Sequence, residues 1–287
     1  MKHLIVGPAG HGVTEYALGL ARATGAEVIR EETFGDTPLA GPVHVTFTDH
    51  LFGDTAERLL ARIDGPLSVS LHDIPQPEEG AERYARRARV YRGLVEKADV
   101  AVVNSEHEAS FFDIETTVIR LPIPVIDSPF DPEPGSVGVL GFLYPGKGHE
   151  DLIAALPDHR LRFLGAVSHG HEKWAENLDA EITGWLSDAQ LAHEMGRIAV
   201  PVCPHRHFSA SGSLMTWLGA GRTVLVRDSA YAREIDAWLP GRVTRVADGG
   251  WREAVDKHVP EQLEPPRYGW AEVAQLWEET WRLAGLM

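Results

Sequence analysis

Three groups of residues in this chain have types and spacings suited to chemistry on a phosphorylated ligand. The first is Ser209-Ala210-Ser211-Gly212-Ser213, a Ser/Gly-rich loop that opens directly into an apolar helical segment over residues 214–220. Gly221 stops that segment, and the strand-like run Thr223-Val224-Leu225-Val226 follows. A helix N-terminus carries unpaired N–H donors and a partial positive charge, so such a loop can present amides and hydroxyls to a phosphate or diphosphate. The same residues also read as a serine N-cap on a core helix. The second group is Gly146-Lys147-Gly148, between a strand ending at Gly141 and a helix beginning near Glu150. A lysine on a glycine-flanked loop reaches a phosphate as a point charge, and equally reads as a solvated loop cation. The third is His72-Asp73 at the end of an apolar run, which reads either as a packed turn or as a hydrogen-bonding pair whose aspartate orients the imidazole.

These residues must be positioned by a chain of 287 residues, long enough for one large or two medium domains. Its formal net charge of -15 argues against broad binding to nucleic acid or anionic lipid, while leaving room for a local basic site. Arg83, Arg86, Arg87, Arg89 and Arg92 make one such run, which reads first as a solvated helix face. A single cysteine, Cys203, fits a reducing cytosol. The N-terminal apolar run is too short for a signal peptide, and no stretch suggests a membrane span, so a cytoplasmic protein is expected.

Short Val/Ile/Leu-rich runs alternate with helical patterns. Strands are expected at residues 4–6, 26–29, 43–47, 67–71, 100–103 and 117–119, with helices over 13–23 and 81–98. The stretch LPIPVIDSPFDPEPG, residues 121–135, has five prolines and denies a helix or a central strand, so it reads as an extended interdomain linker. The alternation resumes with strands at 138–140, 161–164, 180–183, 198–203, 223–226 and 243–246. A last helix over 270–283 places Val273, Leu276, Trp277, Thr280 and Trp281 on or near one face. The expected fold is α/β, with two Rossmann-like domains, residues 1–125 and 136–267, facing across a cleft. Ligands in such sheets sit beyond the carboxyl ends of the strands.

In this order the motifs resemble the GT-B glycosyltransferases, specifically the retaining family 4 type that uses nucleotide-diphospho-sugars. They are GPAGHGVTEYALGLA near the start, SLHDIPQP at 70–77, ADVAVVNSEHEA at 98–109, GFLYPGKGHEDLIAAL at 141–156, ITGWLSDAQL at 182–191, SGSLMTWLGAGRTVLVRD at 211–228 and GWAEVAQLWEETW at the end. The resemblance implies that the first domain takes the acceptor, the second takes the donor, and the helix over 268–285 packs back on the first. It implies a hexosyltransferase that uses a nucleotide-diphospho-sugar, needs no metal or other cofactor, and acts on an acceptor hydroxyl that is a small molecule, a glycan or lipid-linked. Lys147 matches the family lysine on the donor diphosphate. Gly212, Ser213 and Leu214 match the phosphate-binding helix start, and Gly12 matches the glycine loop near sugar and diphosphate. His72 matches the histidine beside the transferred sugar, with Asp73 orienting it. Ser211, Thr216, Trp185, Leu186, His205 and His207 would line the nucleoside or sugar.

Some positions depart from the family. Two glutamates that usually frame the phosphate loop are replaced by Phe208 and Thr216, and a threonine cannot make a bidentate carboxylate contact to ribose. Phe142 and Tyr144 stand where an arginine is common, and the N-terminal half is short, which implies a smaller or more open acceptor pocket. Two other readings therefore accompany the first: a degenerate GT-B protein that binds a ligand or partner without turnover, and a sugar-nucleotide epimerase or hydrolase. Cys203, His205, His207, His169 and His171 lack the ligand spacing of a zinc site, so no metal is expected.

Overall fold

The computed structural model describes residues 1–53 and 56–287. The chain divides into two compact units, one of residues 1–122 with 268–287, the other of residues 123–267.

The first unit is built on β1 (Lys2–Val6), β2 (Glu27–Glu31), β3 (Leu39–Ala40), β4 (Val43–Phe47), β5 (Ile63–Asp64), β6 (Leu67–Leu71), β7 (Val100–Val103) and β8 (Thr117–Val118). Apart from the small β3–β5 pair, these form one parallel sheet in the order β2-β1-β4-β6-β7-β8. Its helices are α1 (Gly12–Thr24), α2 (Asp49–Phe52), α3 (Ala56–Arg62), α4 (Ala81–Lys97), α5 (Glu106–Ala109) and the C-terminal helix Trp270–Leu283. The central strands β4 and β6 are wholly buried, as a parallel sheet covered on both faces requires. One face carries Val43, Val45, Phe47, Leu67, Val69 and Leu71 into the apolar core with Tyr91 and Leu94 of α4. Because side chains alternate along a strand, the other face carries His44, Thr46, Ser68 and Ser70, and His72 follows in the same series.

That second face is polar and yet buried, so its groups must pair. His3 Nε2 lies 2.9 Å from Thr46 Oγ1, and His44 Nδ1 lies 2.9 Å from Ser68 Oγ. The C-terminal helix covers this face. Trp281 Nε1 donates to Ser68 Oγ at 2.9 Å, Trp277 Nε1 donates to Tyr16 Oη at 3.3 Å, and both indoles pack on the His44 ring. Gly19, in the middle of α1, is where Trp270 docks: a Cβ there would lie 2.3 Å from the indole.

The second unit has β9 (Glu133–Leu140), β10 (Arg160–Leu164), β11 (Glu181–Ile182), β12 (Ile198–Cys203), β13 (Val224–Arg227) and β14 (Val243–Val246), all parallel, in the order β11-β10-β9-β12-β13-β14. Counted within the unit this is 3-2-1-4-5-6, the doubly wound order of dinucleotide-binding folds. Its helices are α6 (His149–Ala155), α7 (Glu172–Ala175), α8 (Asp188–Arg197), α9 (Gly212–Gly219), α10 (Ala230–Trp238) and α11 (Trp251–Lys257). The C-terminal helix of the first unit is then α12.

The proline-rich stretch differs from expectation. Central strand β9 begins inside it, at Glu133. Prolines are accommodated in sheets at bulges, and here the register of β9 against β12 shifts, Ile198 facing Glu133 and Val200 facing Val137. Gly135 takes φ +75, and Ser136 Oγ accepts from Ala199 N at 2.8 Å, replacing a ladder bond with a side-chain bond. Residues 123–131 lie along the second unit, with Ile126 N donating to Gly219 O and Asp131 N to Gly196 O. A Cβ on Gly219 would fall 1.7 Å from Pro124 O, so glycine is what allows this close approach.

Burial sets a pH limit on this fold. It lowers His3, His72 and His149 to about 3, and His44 and His205 well below the ordinary 6.5. The unfolded chain therefore takes up protons first. Stability is fully present above pH 6.5 and is lost as pH falls below it, each histidine contributing about 1.4 kcal/mol per pH unit. Urea unfolding midpoints should drop steeply between pH 7 and pH 5 in both units; a flat profile there would contradict the buried-histidine account.

Candidate functional site

In each sheet the strand order reverses beside the first strand, and loops at such switch points diverge to leave a crevice at the carboxyl ends. In the second unit the reversal lies between β9 and β12, so the loops of interest follow Leu140 and Cys203. The first carries Lys147 and the second leads to Ser211. Gly148, at φ +91, lets them touch: a Cβ there would lie 2.2 Å from Pro204 O.

Lys147 is not a solvated loop cation. It is 6% exposed, and its Nζ donates to Phe142 O at 2.8 Å and Leu140 O at 3.3 Å. It forms no ion pair with a carboxylate among the described residues, and burial lowers it to about 8. His149 and His205 lie near enough for its charge to lower them further, after burial. His205 Nδ1 and both ring nitrogens of His149 are buried without a hydrogen-bond partner among the described residues. The Lys147 ammonium is thus a buried positive charge with no carboxylate paired to it among the described residues.

The start of α9 faces the same place. From the point where a Gly141 side chain would begin, Lys147 Nζ is 2.9 Å away and Ser213 Cβ is 3.9 Å away, so glycine keeps the gap open. Ser211 is the N-cap, its Oγ accepting from Leu214 N at 3.2 Å and lying 3.1 Å from Ser213 Oγ. The serine is thus a cap, as one of its two readings expects. The Leu214 N–H belongs to the cap, whereas those of Gly212 and Ser213 have no protein partner among the described residues. Two amides and one ammonium therefore converge, which suits a diphosphate.

The framing positions are visible as packing. Phe208 is buried and stacks on Tyr231 at 5.3 Å, while Tyr231 Oη accepts from Ser211 N, so this aromatic pair braces the loop. Thr216 Oγ1 donates to Gly212 O at 2.9 Å, which leaves its lone pairs but not its proton for a ligand. Trp185 is 66% exposed and pairs with exposed Phe142 at 6.1 Å, so it offers a free face and is not core; Leu186 is half-buried. His205 is buried whereas His207 is exposed, and no group of three or more His, Cys, Asp or Glu among the described residues is arranged to hold a metal.

In the first unit the reversal lies between β1 and β4, and Gly12 opens α1 just after β1. His72 ends the polar stripe of β6. Its Nε2 is 2.9 Å from Ser70 Oγ, its ring lies 4.6 Å from Tyr16, and Nδ1 has no protein partner among the described residues. Asp73 does not orient it. The Asp73 carboxylate accepts from Thr48 Oγ1 at 3.1 Å, because a left-handed backbone, φ +53, turns the residue away from the strand direction. Such a conformation is unusual for a residue with a side chain. Arg87 Nη2 donates to its carbonyl at 2.7 Å, and Tyr91 Oη donates to the neighbouring His72 carbonyl at 2.6 Å, which together hold the turn. Thr48, His50, Arg87 and Tyr91 were not singled out as site residues from the sequence. Their signal is position at or against the end of β4, which needs the strand order to be recognised.

Cys203 lies beside Lys147 and Ser213, but burial pushes its thiol up to about 12. It should resist a thiol-specific disulfide reagent at pH 8 in the native protein and react at once in urea; rapid native reaction would show that the loops around Lys147 open.

No protein-family model matches the chain, and no curated protein matches it. Solved structures do. HepE from Anabaena, solved with UDP-glucose, is 18% identical, with 99% of this chain and 100% of that chain covered and a TM-score of 0.75. The same protein with UDP and glucose gives 16% identity, 98% and 99% coverage and a TM-score of 0.75. Sucrose-phosphate synthase from Thermosynechococcus elongatus gives 12% identity, 99% coverage of both chains and a TM-score of 0.70. At these identities the likeness is one of fold, it covers both parallel sheets, and that fold is GT-B.

Proposed function

We propose that the chain is a glycosyltransferase that transfers a hexosyl group from a nucleotide-diphospho-sugar to an acceptor hydroxyl, with retention and without a metal. The observation that carries this is Lys147, a buried ammonium with no carboxylate, beside the two open amides of α9. A departing nucleoside diphosphate develops negative charge, and preorganised donors aimed at that charge stabilise the transition state. Lys147 and the Gly212 and Ser213 amides would fill that role, in place of a metal ion. The unit of residues 123–267 would then take the donor and the unit containing His72 the acceptor. His72, neutral at working pH, would hydrogen-bond a sugar hydroxyl through Nδ1. HepE, solved with UDP and with UDP-glucose, supports a uridine nucleotide as the first to test.

A second reading, ligand binding without turnover, is favoured by Phe208, which is core, and by Thr216, whose hydroxyl proton is engaged with Gly212. The two readings separate on mixing with UDP-glucose and candidate acceptors: transfer yields UDP and a new glycoside with the donor's anomeric configuration, and insensitivity to EDTA is expected. Hydrolysis or epimerisation would consume donor with no acceptor present.

Calorimetric titration with UDP and uridine tests the phosphate role. Lys147→Ala should weaken UDP by roughly 10- to 100-fold, the worth of one charge-assisted hydrogen bond, and leave uridine nearly unchanged. Equal loss for both removes Lys147 from the diphosphate. The pH dependence has a definite sign. The diphosphate needs the protonated amine, so UDP affinity should hold below pH 7 and fall as pH rises through about 8, and Lys147→Ala should abolish that fall. His72→Ala should slow transfer severalfold or more while UDP affinity stays unchanged; unaltered turnover removes it from the reaction.

A further inference from the structure

The polar face of the first unit holds a chain of hydrogen bonds whose direction can be read from its ends. Trp277 is wholly buried, and its Nε1 donates to Tyr16 Oη at 3.3 Å. An indole nitrogen can only donate. Burial raises the Tyr16 phenol to about 12, so it keeps its proton, and Trp277 and Ser70 are the side chains that bond its oxygen. With Trp277 donating, the phenol proton has only Ser70 Oγ to go to among the described residues. Ser70 is 0% exposed, and its other partner is His72 Nε2 at 2.9 Å. A buried hydroxyl without an acceptor is costly, so the Ser70 proton points to Nε2. The reverse direction, from Nε2–H to Ser70 and from Ser70 to Tyr16, strands the phenol proton against an indole N–H that offers no lone pair. A shorter chain of the same form lies beside it: Trp281 Nε1 donates to Ser68 Oγ at 2.9 Å, and Ser68 Oγ lies 2.9 Å from His44 Nδ1.

We propose that this chain fixes the tautomer of His72, with the proton on Nδ1 and the lone pair on Nε2, and that Ser70, Tyr16 and Trp277 are its positioning residues. A neutral histidine in water prefers its proton on Nε2, so the relay imposes the less common form. The hydrogen bond at one ring nitrogen decides what the other can do. Nδ1, with no protein partner among the described residues, then meets a substrate as a donor and has no lone pair there to take a proton. The role in transfer rests on the glycosyltransferase reading: His72 donates to a sugar oxygen and is not the base that deprotonates the acceptor. The tautomer itself does not depend on that reading. In the parallel chain Ser68 meets the other ring nitrogen, so His44 carries its proton on Nε2 and the two histidines are opposite tautomers on one sheet face. The orienting task expected of Asp73 falls to Ser70 and, through Tyr16, to α12.

Proton–nitrogen correlation spectra of the full-length protein with isotope-labelled histidine, recorded at about pH 7.5, report which ring nitrogen is protonated, and His72→Gln identifies the His72 signals. His72 should show its proton on Nδ1 and His44 on Nε2. A proton on Nε2 of His72, or an even mixture, would overturn the proposal. Ser70→Ala should move the His72 proton to Nε2 while His44 keeps its tautomer, which shows that the first unit remains folded. An unmoved His72 proton in that folded variant removes Ser70 from the role. Should Ser70→Ala fail to fold, Trp277→Phe keeps an aromatic ring without the N–H and should raise the Nε2-protonated fraction of His72; no rise overturns the relay. In turnover, Ser70→Ala should lower kcat for transfer from UDP-glucose about fivefold, change donor KM by less than about twofold, and add nothing to His72→Ala. An unchanged kcat alongside a shifted tautomer strikes out the donor role of His72. If the tautomers behave as stated and the wild-type protein transfers no sugar, the glycosyltransferase reading fails and the tautomer assignment stands.

Discussion

The second unit is organised around a buried ammonium that has carbonyl oxygens for partners and, among the described residues, no carboxylate. Most buried cations are neutralised by a paired acid. Lys147 donates to Phe142 O and Leu140 O at the end of the central strand, and burial lowers its affinity for a proton without cancelling its charge. Glycines are required around it. Gly148 lets the loop reach Pro204, and Gly141 leaves the space toward Ser213 unfilled. The neutral state of His149 and His205 follows from burial first and from the Lys147 charge second.

The first unit solves a different problem. A sheet face bearing His44, Thr46, Ser68 and Ser70 is buried, and the tryptophans of α12 supply both apolar area and N–H donors to satisfy it. Trp277 bonds Tyr16, Tyr16 packs on His72, and Ser70 fixes the His72 ring. The orientation of His72 thus depends on a helix more than 190 residues later in the chain.

Much of this could be read from the residues, and the remainder divides by physical cause. Period-two and continuous apolar runs located the main strands because burial of a parallel sheet demands them. The serine cap, Lys147 and His72 stood out because their residue types are unusual beside strand ends. The β9 boundary was misread because proline was weighed as a strand breaker, whereas a bulge and the Ser136 side chain replace the lost ladder bonds. The role of Asp73 was misjudged because sequence adjacency suggests contact, and a single left-handed φ removes it. The arginine run read as a solvated face because which of Arg83, Arg86 and Arg87 is buried depends on Asp49 and Glu79, distant or across a turn in sequence.

The C-terminal helix has a consequence for how the chain is made. Synthesis is vectorial, and domains generally fold in order as they emerge. Residues 123–267 contain every strand of their own sheet and can close as soon as they leave the ribosome. The first unit cannot, because its buried histidine and serine row stays uncovered until Trp270, Trp277 and Trp281 arrive last. The first unit is begun before the second and completed after it, and a nascent chain stalled before α12 would hold an open, half-wet sheet while residues 123–267 are already closed.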